Sequence, residues 1–271
     1  MAPLDQAASG CLTFANSLPG NEANRLEGLD RVFVLISTDD ETRPNCAWAR
    51  VRDPRFAFAY LLSRLFPESR EAGVSPLANV HAEAEVHETA YIGPYCTLQS
   101  GVVVGEGTSI PGPATIRANV HIGRDCLLKS YVSIGEPGFG IAKDENGNNF
   151  RIPHLGAVII GDNVEVGSFT TVCSGTLVPT LIDDYVKLDD HVYVAHNVSI
   201  GSNSIVVAGT AICGSVTVGK NVWIGPNSSI KDGSKIGDRA FVGVGTVVIR
   251  DVDPDTVVAG VPARVLRERR E

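Results

Sequence analysis

A parallel β-helix is the fold class that the sequence predicts, and three observations predict it. An aliphatic residue stands at every sixth position through most of the chain, glycine often follows it directly, and the composition is rich in Val, Ile and Gly but only 6% aromatic. The row of aliphatics runs from Val80 to Ile134, resumes from Ile160 to Val178, shifts phase by four, and continues from Ile182 to Val248. All 26 positions are Ile, Leu or Val, and Gly follows 11 of them, as in Ile92-Gly93 and Ile224-Gly225. A period of six matches neither an α-helix nor an alternating strand. It matches a short strand plus a corner, where glycine adopts backbone angles that a Cβ penalises. Three hexapeptides then close one triangular coil of 18 residues, and residue i stacks on residue i+18. Nearly nine coils, each rising about 4.8 Å, make a prism of roughly 40 Å.

The flanks do not repeat. Residues 1–75 read as a small α/β domain, with strands at Val32 to Ser37 and Cys46 to Val51. Asp53-Pro54 is an N-cap followed by proline at the first helical position. The helix after it puts Phe56, Tyr60, Ser63 and Phe66 on one side, and Pro67 stops it. Ser75-Pro76 marks the boundary to the β-helix, 76–253. Within that domain an insertion at 135–157, in the stretch EPGFGIAKDENGNNFRIPHLGAV between Ile134 and Ile160, leaves the period as a long loop, and such loops are usually functional. Pro254 ends the last coil. A short tail, 254–271, carries Arg264, Arg267, Arg269 and Arg270.

The net charge of −8, with no extended basic run before the last eight residues, argues against nucleic-acid and anionic-membrane partners. No apolar run reaches the roughly 18 residues of a membrane span. The opening MAPLDQAASG lacks the plan of a signal peptide. Six cysteines, at 11, 46, 96, 126, 173 and 213, form no CxxC pair and suit a reducing compartment, so a cytoplasmic location is expected. Cys96 and Cys126 fall where small residues pack. Cys173 and Cys213 have no basic neighbour in sequence that would activate a thiolate.

GFG at 138–140, RIPHLGAVIIGDNVEVG at 151–167 and VAHNVSIG at 194–201 stand out, with CLTFANS at 11–17 and RDPRFAFAYLL at 52–62. On these segments the chain resembles the UDP-3-O-acylglucosamine N-acyltransferases of lipid A synthesis and, more loosely, other nucleotide-sugar N-acyltransferases. The general crossover rule favours right-handed connections, but the resemblance implies a left-handed coil. It also implies acyl transfer from a thioester, on acyl-CoA or acyl-carrier protein, to the amine of a nucleotide-linked amino sugar, with no permanently bound cofactor. By the same resemblance His196 is the general base and Phe14 belongs to a uridine pocket. The chain departs from that family at Cys173-Ser174, at Gly233 in place of a second histidine, and in the ending GVPAR, which resembles CoA-dependent sugar acetyltransferases.

The residues themselves support part of this. Imidazole suits base catalysis because its pKa lies near operating pH, and His196 follows the inward Val194 by two places, near a corner. Phe139 of the GFG loop, His154, His191 and Asn197 are candidate substrate contacts. Gly214 is a candidate backbone donor at the acyl group, and Arg264 and Arg267 are candidates for donor phosphates. His81, His87 and His121 fall at outward positions. A prism with its histidine near a corner suggests a homotrimer, since a heterologous interface closes at three. Two other readings remain open. In one, His154, His191 and His196 bind zinc as in γ-class carbonic anhydrases, which they resemble in spacing. In the other, the β-helix is a non-catalytic scaffold.

Overall fold

The computed structural model describes residues 1–27, 29–66 and 72–269, and the counts and absences below refer to these residues. The chain divides into two compact units, Met1–Ser69 and Arg70–Glu271.

The first unit is a three-stranded parallel sheet with two helices: β1 (Leu12–Ala15), α1 (Gly20–Glu27), β2 (Phe33–Ser37), β3 (Ala47–Val51) and α2 (Pro54–Leu65). β2 is central, pairing Val34 with Thr13 and Trp48. Its consecutive Val34, Leu35 and Ile36 are all buried, as expected of a parallel strand covered on both faces. At the start of α2 the Asp53 carboxylate accepts a hydrogen bond from the Phe56 N–H at 2.9 Å, which satisfies one orphan donor of the first turn. Phe56, Tyr60 and Phe66 lie exposed. Pro67, the expected stop, lies outside the described residues.

The second unit is a left-handed β-helix. Three sheets form its walls. Sheet I has 11 strands, from Gly73–Val74 to Arg264–Glu268; sheet II has nine, from Asn79–Val80 to Val247–Val248; sheet III has eight, from Glu85–Val86 to Lys235–Ile236. Paired residues are 18 apart, as in Tyr91↔Ser109 and Lys187↔Ile205. The offset becomes 38 across the insertion (Leu127↔Glu165) and 22 at the phase shift (Glu165↔Lys187), after which 18 returns. Ile, Leu and Val fill the interior from Ile92 to Val248. Buried hydroxyls two places before the aliphatic knit successive coils: Thr108 donates to the Gly123 carbonyl at 2.7 Å and accepts from the Cys126 N–H at 3.0 Å.

Three expectations are corrected. Val178 is not in the interior row; it is 61% exposed, because the four extra residues of the phase shift are extruded between Val172 and Ile182. The insertion is not structureless: Ile141–Lys143 and Asn149–Arg151 pair antiparallel. Its turn is fixed by Asp144, whose carboxylate accepts from the Asn146 and Asn148 N–H groups. The C-terminal segment is not a loose tail. Thr256–Ala259 extends sheet I in parallel, and Arg264–Glu268 returns antiparallel on it. The Arg269 guanidinium donates to the carbonyls of Asn221, Arg239 and Ala240 and lies over the Phe241 ring, which pins this end of the sheet. Arg270 lies outside the described residues.

Candidate active site

The corner after Tyr193–Val194 of sheet II carries His196 and Asn197. Asn197 has φ +60, a left-handed conformation that asparagine tolerates better than most residues. That turn aims its amide at its neighbours. Asn197 Oδ1 accepts from the Thr176 N–H and hydroxyl, and Nδ2 donates to the Val178 carbonyl. The amide orientation is thereby fixed, so the 2.9 Å contact between His196 Nδ1 and Asn197 Oδ1 has Nδ1–H as donor. His196 Nε2 is then the bare acceptor.

Two glycines make room for this ring. A Cβ on Gly214, one coil above, would lie 2.7 Å from His196 Cε1 and 2.9 Å from Nε2. A Cβ on Gly138, from the insertion, would lie 2.8 Å from His196 Cδ2 and 2.7 Å from His154 Nε2. The Gly214 carbonyl accepts from the Gly233 N–H, whereas its own N–H donates to no acceptor among the described residues. His154 comes from the insertion and meets His196 edge-on, with ring centroids 5.0 Å apart and planes at 60°. Its Nδ1–H donates to the Ile152 carbonyl at 3.0 Å. Burial lowers its pKa below the usual 6.5; the bond to Ile152 opposes that shift, while the facing His196 and nearby Arg151 add to it. His154 therefore stays neutral at neutral pH.

The insertion is tied down over this corner. Arg151 donates to the carbonyls of Pro137 and Gly138, and the Leu155 N–H donates to the Thr176 carbonyl. Phe139, Phe150, Leu155, Leu177 and Val178 are all more than 60% exposed, forming an apolar fringe on the insertion and the extruded phase shift. Cys173 lies one coil below, buried, with its thiol donating to the Tyr193 hydroxyl at 3.5 Å. Burial raises both pKa values, that of Tyr193 to about 12, which disfavours a thiolate.

Of the residues singled out in the sequence, the structure brings together His154, His196, Asn197 and Gly214, with Phe139 beside Gly138. His191 is not among them. It follows a strand of sheet I and stacks on Phe169 at 5.0 Å and 4°. Among the described residues no three His, Cys, Asp or Glu side chains are grouped to hold a metal, so one chain supplies two imidazoles to this corner and not three. Phe14 belongs to the first unit, where it packs on Phe58 at 4.8 Å. Arg264 and Arg267 lie exposed on the last strand of sheet I. Sequence reasoning missed Gly138 and Thr176 as supports of the site. GFG had flagged its phenylalanine, and the four-residue phase shift was the one signal near Thr176.

The fold and this corner match a class, the left-handed β-helices built from hexapeptide repeats. A sequence profile for "Bacterial transferase hexapeptide (six repeats)" matches residues 215–250. Among sequence relatives, the UDP-3-O-acylglucosamine N-acyltransferase of Paracidovorax citrulli is 36% identical over 192 residues, covering 70% of this chain and 57% of that one. The enzyme of the same name from Pseudomonas entomophila is 32% identical, covering 70% and 58%. The chain thus spans less than two-thirds of the length of these curated relatives. The crystal structure of the UDP-N-acetylglucosamine acyltransferase of Francisella novicida superposes with a TM-score of 0.67 at 26% identity, covering 72% of this chain and 70% of that one. That of Bacteroides fragilis gives 0.66 at 25%, covering 72% and 74%. Among the described residues no helix is long and apolar enough to cross a membrane.

Proposed function

We propose that the protein transfers an acyl group from a thioester to the amine of a nucleotide-linked amino sugar, with His196 as general base. The observation that carries this reading is the imidazole of His196, held by Asn197 with Nε2 bare and packed against Gly214, whose N–H donates to no acceptor among the described residues. As the amine attacks the thioester carbon, Nε2 takes its proton and the Gly214 N–H stabilises the oxyanion. The imidazolium then returns the proton to the leaving thiolate. The sequence relatives' names support a UDP-linked 3-O-acylglucosamine as acceptor. Phe14 is the candidate for stacking on the nucleotide base, Phe139 for lining the entrance, and Arg264 and Arg267 for the phosphates of acyl-CoA or of an acyl-carrier protein.

The test is direct. Purified protein given UDP-3-O-acylglucosamine and an acyl thioester should form the amide, detected by mass. His196→Ala should lower turnover by about 10² to 10⁴ with substrate binding retained. No amide from the wild type, or more than about a third of its turnover in the variant, well short of a general-base effect, rejects the reading. The assembly we propose is a homotrimer, since a β-helix that leaves Tyr131, Phe169 and Tyr185 in solvent has apolar surface to cover. Light scattering should return three times the 28.7 kDa chain mass, and a monomer would reject that assembly.

A further inference from the structure

Two cations of the insertion, Arg151 and Lys143, are exposed and form no ion pair among the described residues. In the hairpin Ile141 pairs with Arg151 and Lys143 with Asn149. Side chains alternate along a strand, so Arg151 and Lys143 share one face of the hairpin, as diagonal neighbours about 7–8 Å apart. Arg151 shows where that face looks, because its guanidinium donates to the carbonyls of Pro137 at 3.5 Å and Gly138 at 3.3 Å. Both bonds use Nη2, and the N–H groups on Nη1 and Nε remain unspent. The carboxylates of this region are already engaged. Glu136 accepts from the Ser133 hydroxyl at 3.3 Å and lies 3.8 Å from the Arg117 guanidinium. Asp144 accepts from the N–H groups of Asn146 and Asn148 and from the Asn148 amide.

Gly138 also sets the distance from Arg151 to the imidazole. A Cβ on Gly138 would lie 2.8 Å from His196 Cδ2. With standard bond lengths inside Gly138, Arg151 Nη2 stands no more than about 10 Å from that ring atom. In a 2-amino sugar with a diphosphate on C1, a few bonds separate the amine nitrogen from the two phosphorus atoms, about 4–7 Å. An amine at about 3 Å from His196 Nε2 therefore brings its diphosphate within range of Arg151.

We infer that Arg151, with Lys143 behind it, binds the diphosphate of the nucleotide-linked amino sugar. This rests on the acyl-transfer reading and names the group by which the acceptor is held. A guanidinium with N–H groups to spare can hold two oxygens of one phosphate, and the Lys143 ammonium adds a point charge on the same face. Neither cation has to leave a carboxylate first, so the bond to phosphate replaces only water. The diphosphate of acyl-CoA does not fit the same place, because the long pantetheine arm holds it away from the thioester. On a chain of net charge −8, these two cations also give an anionic substrate a local target.

The experiment measures acyl transfer by the wild type, Arg151→Gln and Lys143→Gln to two acceptors. One is UDP-3-O-acylglucosamine, and the other is methyl 3-O-acylglucosaminide, which keeps the amine and has no phosphate. Gln at 151 can still donate to the carbonyls that Arg151 holds. Arg151→Gln should raise KM for the nucleotide sugar by about 10- to 100-fold, as the loss of a hydrogen bond to a charged group does, with kcat little changed. Lys143→Gln should raise it by about two- to fivefold, since an exposed point charge is worth less. Transfer to the methyl glycoside and KM for acyl-CoA should stay as in the wild type. Equal losses on both acceptors would make Arg151 a support of the insertion and overturn the inference. So would an unchanged KM for the nucleotide sugar, or a rise confined to acyl-CoA. Should Arg151→Gln not fold, Arg151→Lys carries the same comparison, keeping the charge and losing the fork. Transfer to neither acceptor by the wild type overturns the acyl-transfer reading, and calorimetry with UDP-glucosamine then decides this one. Affinity about tenfold or more weaker in Arg151→Gln upholds the diphosphate site, whereas equal affinity, or no binding by the wild type, overturns it.

Discussion

His191 and His196 stand five residues apart on one coil, each just past a strand of a different sheet. His191 is the third ring of a ladder: Tyr131 stacks on Phe169 at 4.9 Å and 8°, and Phe169 on His191 at 5.0 Å and 4°. Those spacings are close to the roughly 4.8 Å between neighbouring strands, so the ladder follows from placing planar side chains at one corner of successive coils. All three rings project into solvent from backbones with φ near +60. His196 has no such column. Ser174 and Gly214 occupy the neighbouring coils at its position, and its other contacts come from Asn197 and from the insertion. Where the repeat is obeyed, a side chain meets copies of its own environment and contributes stability. Where the repeat is broken, by the insertion at 135–157 and the extrusion at Val178, a side chain meets unlike groups that can orient it and leave a lone pair unpaired.

The largest effect that separates the two corners should come from Gly214→Ala. Gly214 does not have positive φ, so alanine suits its backbone, and the strain falls on the imidazole tip 2.7 Å away. A ring that can swing aside relieves the clash at little cost in stability but leaves Asn197. Turnover should fall by about 10² while the melting temperature holds, since misplacing a reacting group by about an ångström costs that much. A variant with normal turnover would mean that Nε2 works from another side of the ring.

A smaller effect is expected from Asn197→Gly, which keeps the left-handed turn and deletes the acceptor for His196 Nδ1–H. Orienting partners of this kind are typically worth about 10- to 100-fold, and kcat should fall more than KM changes. Asn197→Asp should recover much of the loss, because a carboxylate still accepts from Nδ1–H and from Thr176. If the Asp and Gly variants were equally impaired, the bond to His196 would not be what matters, and the contact with Val178 would be the alternative.

The same contrast explains what could be read in the sequence. Ile92, Leu128 and Ile212 announced the prism because each repeats the demand of its neighbours, and a periodic demand is visible in a linear string. The N-cap at Asp53 was legible because its partner, the Phe56 N–H, is three residues away. His196 and Asn197 were found through the AHN motif. The meeting of His154 with His196 depends on a hairpin bringing together groups 42 positions apart, and nothing in the period encodes it. Val178 misled for a related reason: it is an aliphatic at the right spacing, but the coil had already gained its four extra residues. The closing strands 256–259 and 264–268 were hidden because they follow the last hexapeptide and pair with an existing sheet edge.

The smallest effect should come from His191, where asparagine is the informative replacement because it accepts φ +58 and removes the ring. The loss of one stacked pair is worth about 0.5–1.5 kcal/mol beyond area burial. Exposure of the ladder and the backbone preference of asparagine offset part of this, so stability should drop by less than about 1 kcal/mol. Turnover should stay within a factor of about two, since no atom of His191 joins the network around His196 within one chain. A fall of more than about tenfold with the fold intact, as large as the loss of an orienting partner, would contradict that separation. It would place His191 at an active site across a subunit boundary, where the corner of one prism meets the insertion of the next. Mixing inactive His196→Ala protomers with His191→Asn protomers would then restore activity at the boundaries where each supplies its intact histidine, whereas a site confined to one chain would give only the average of the two.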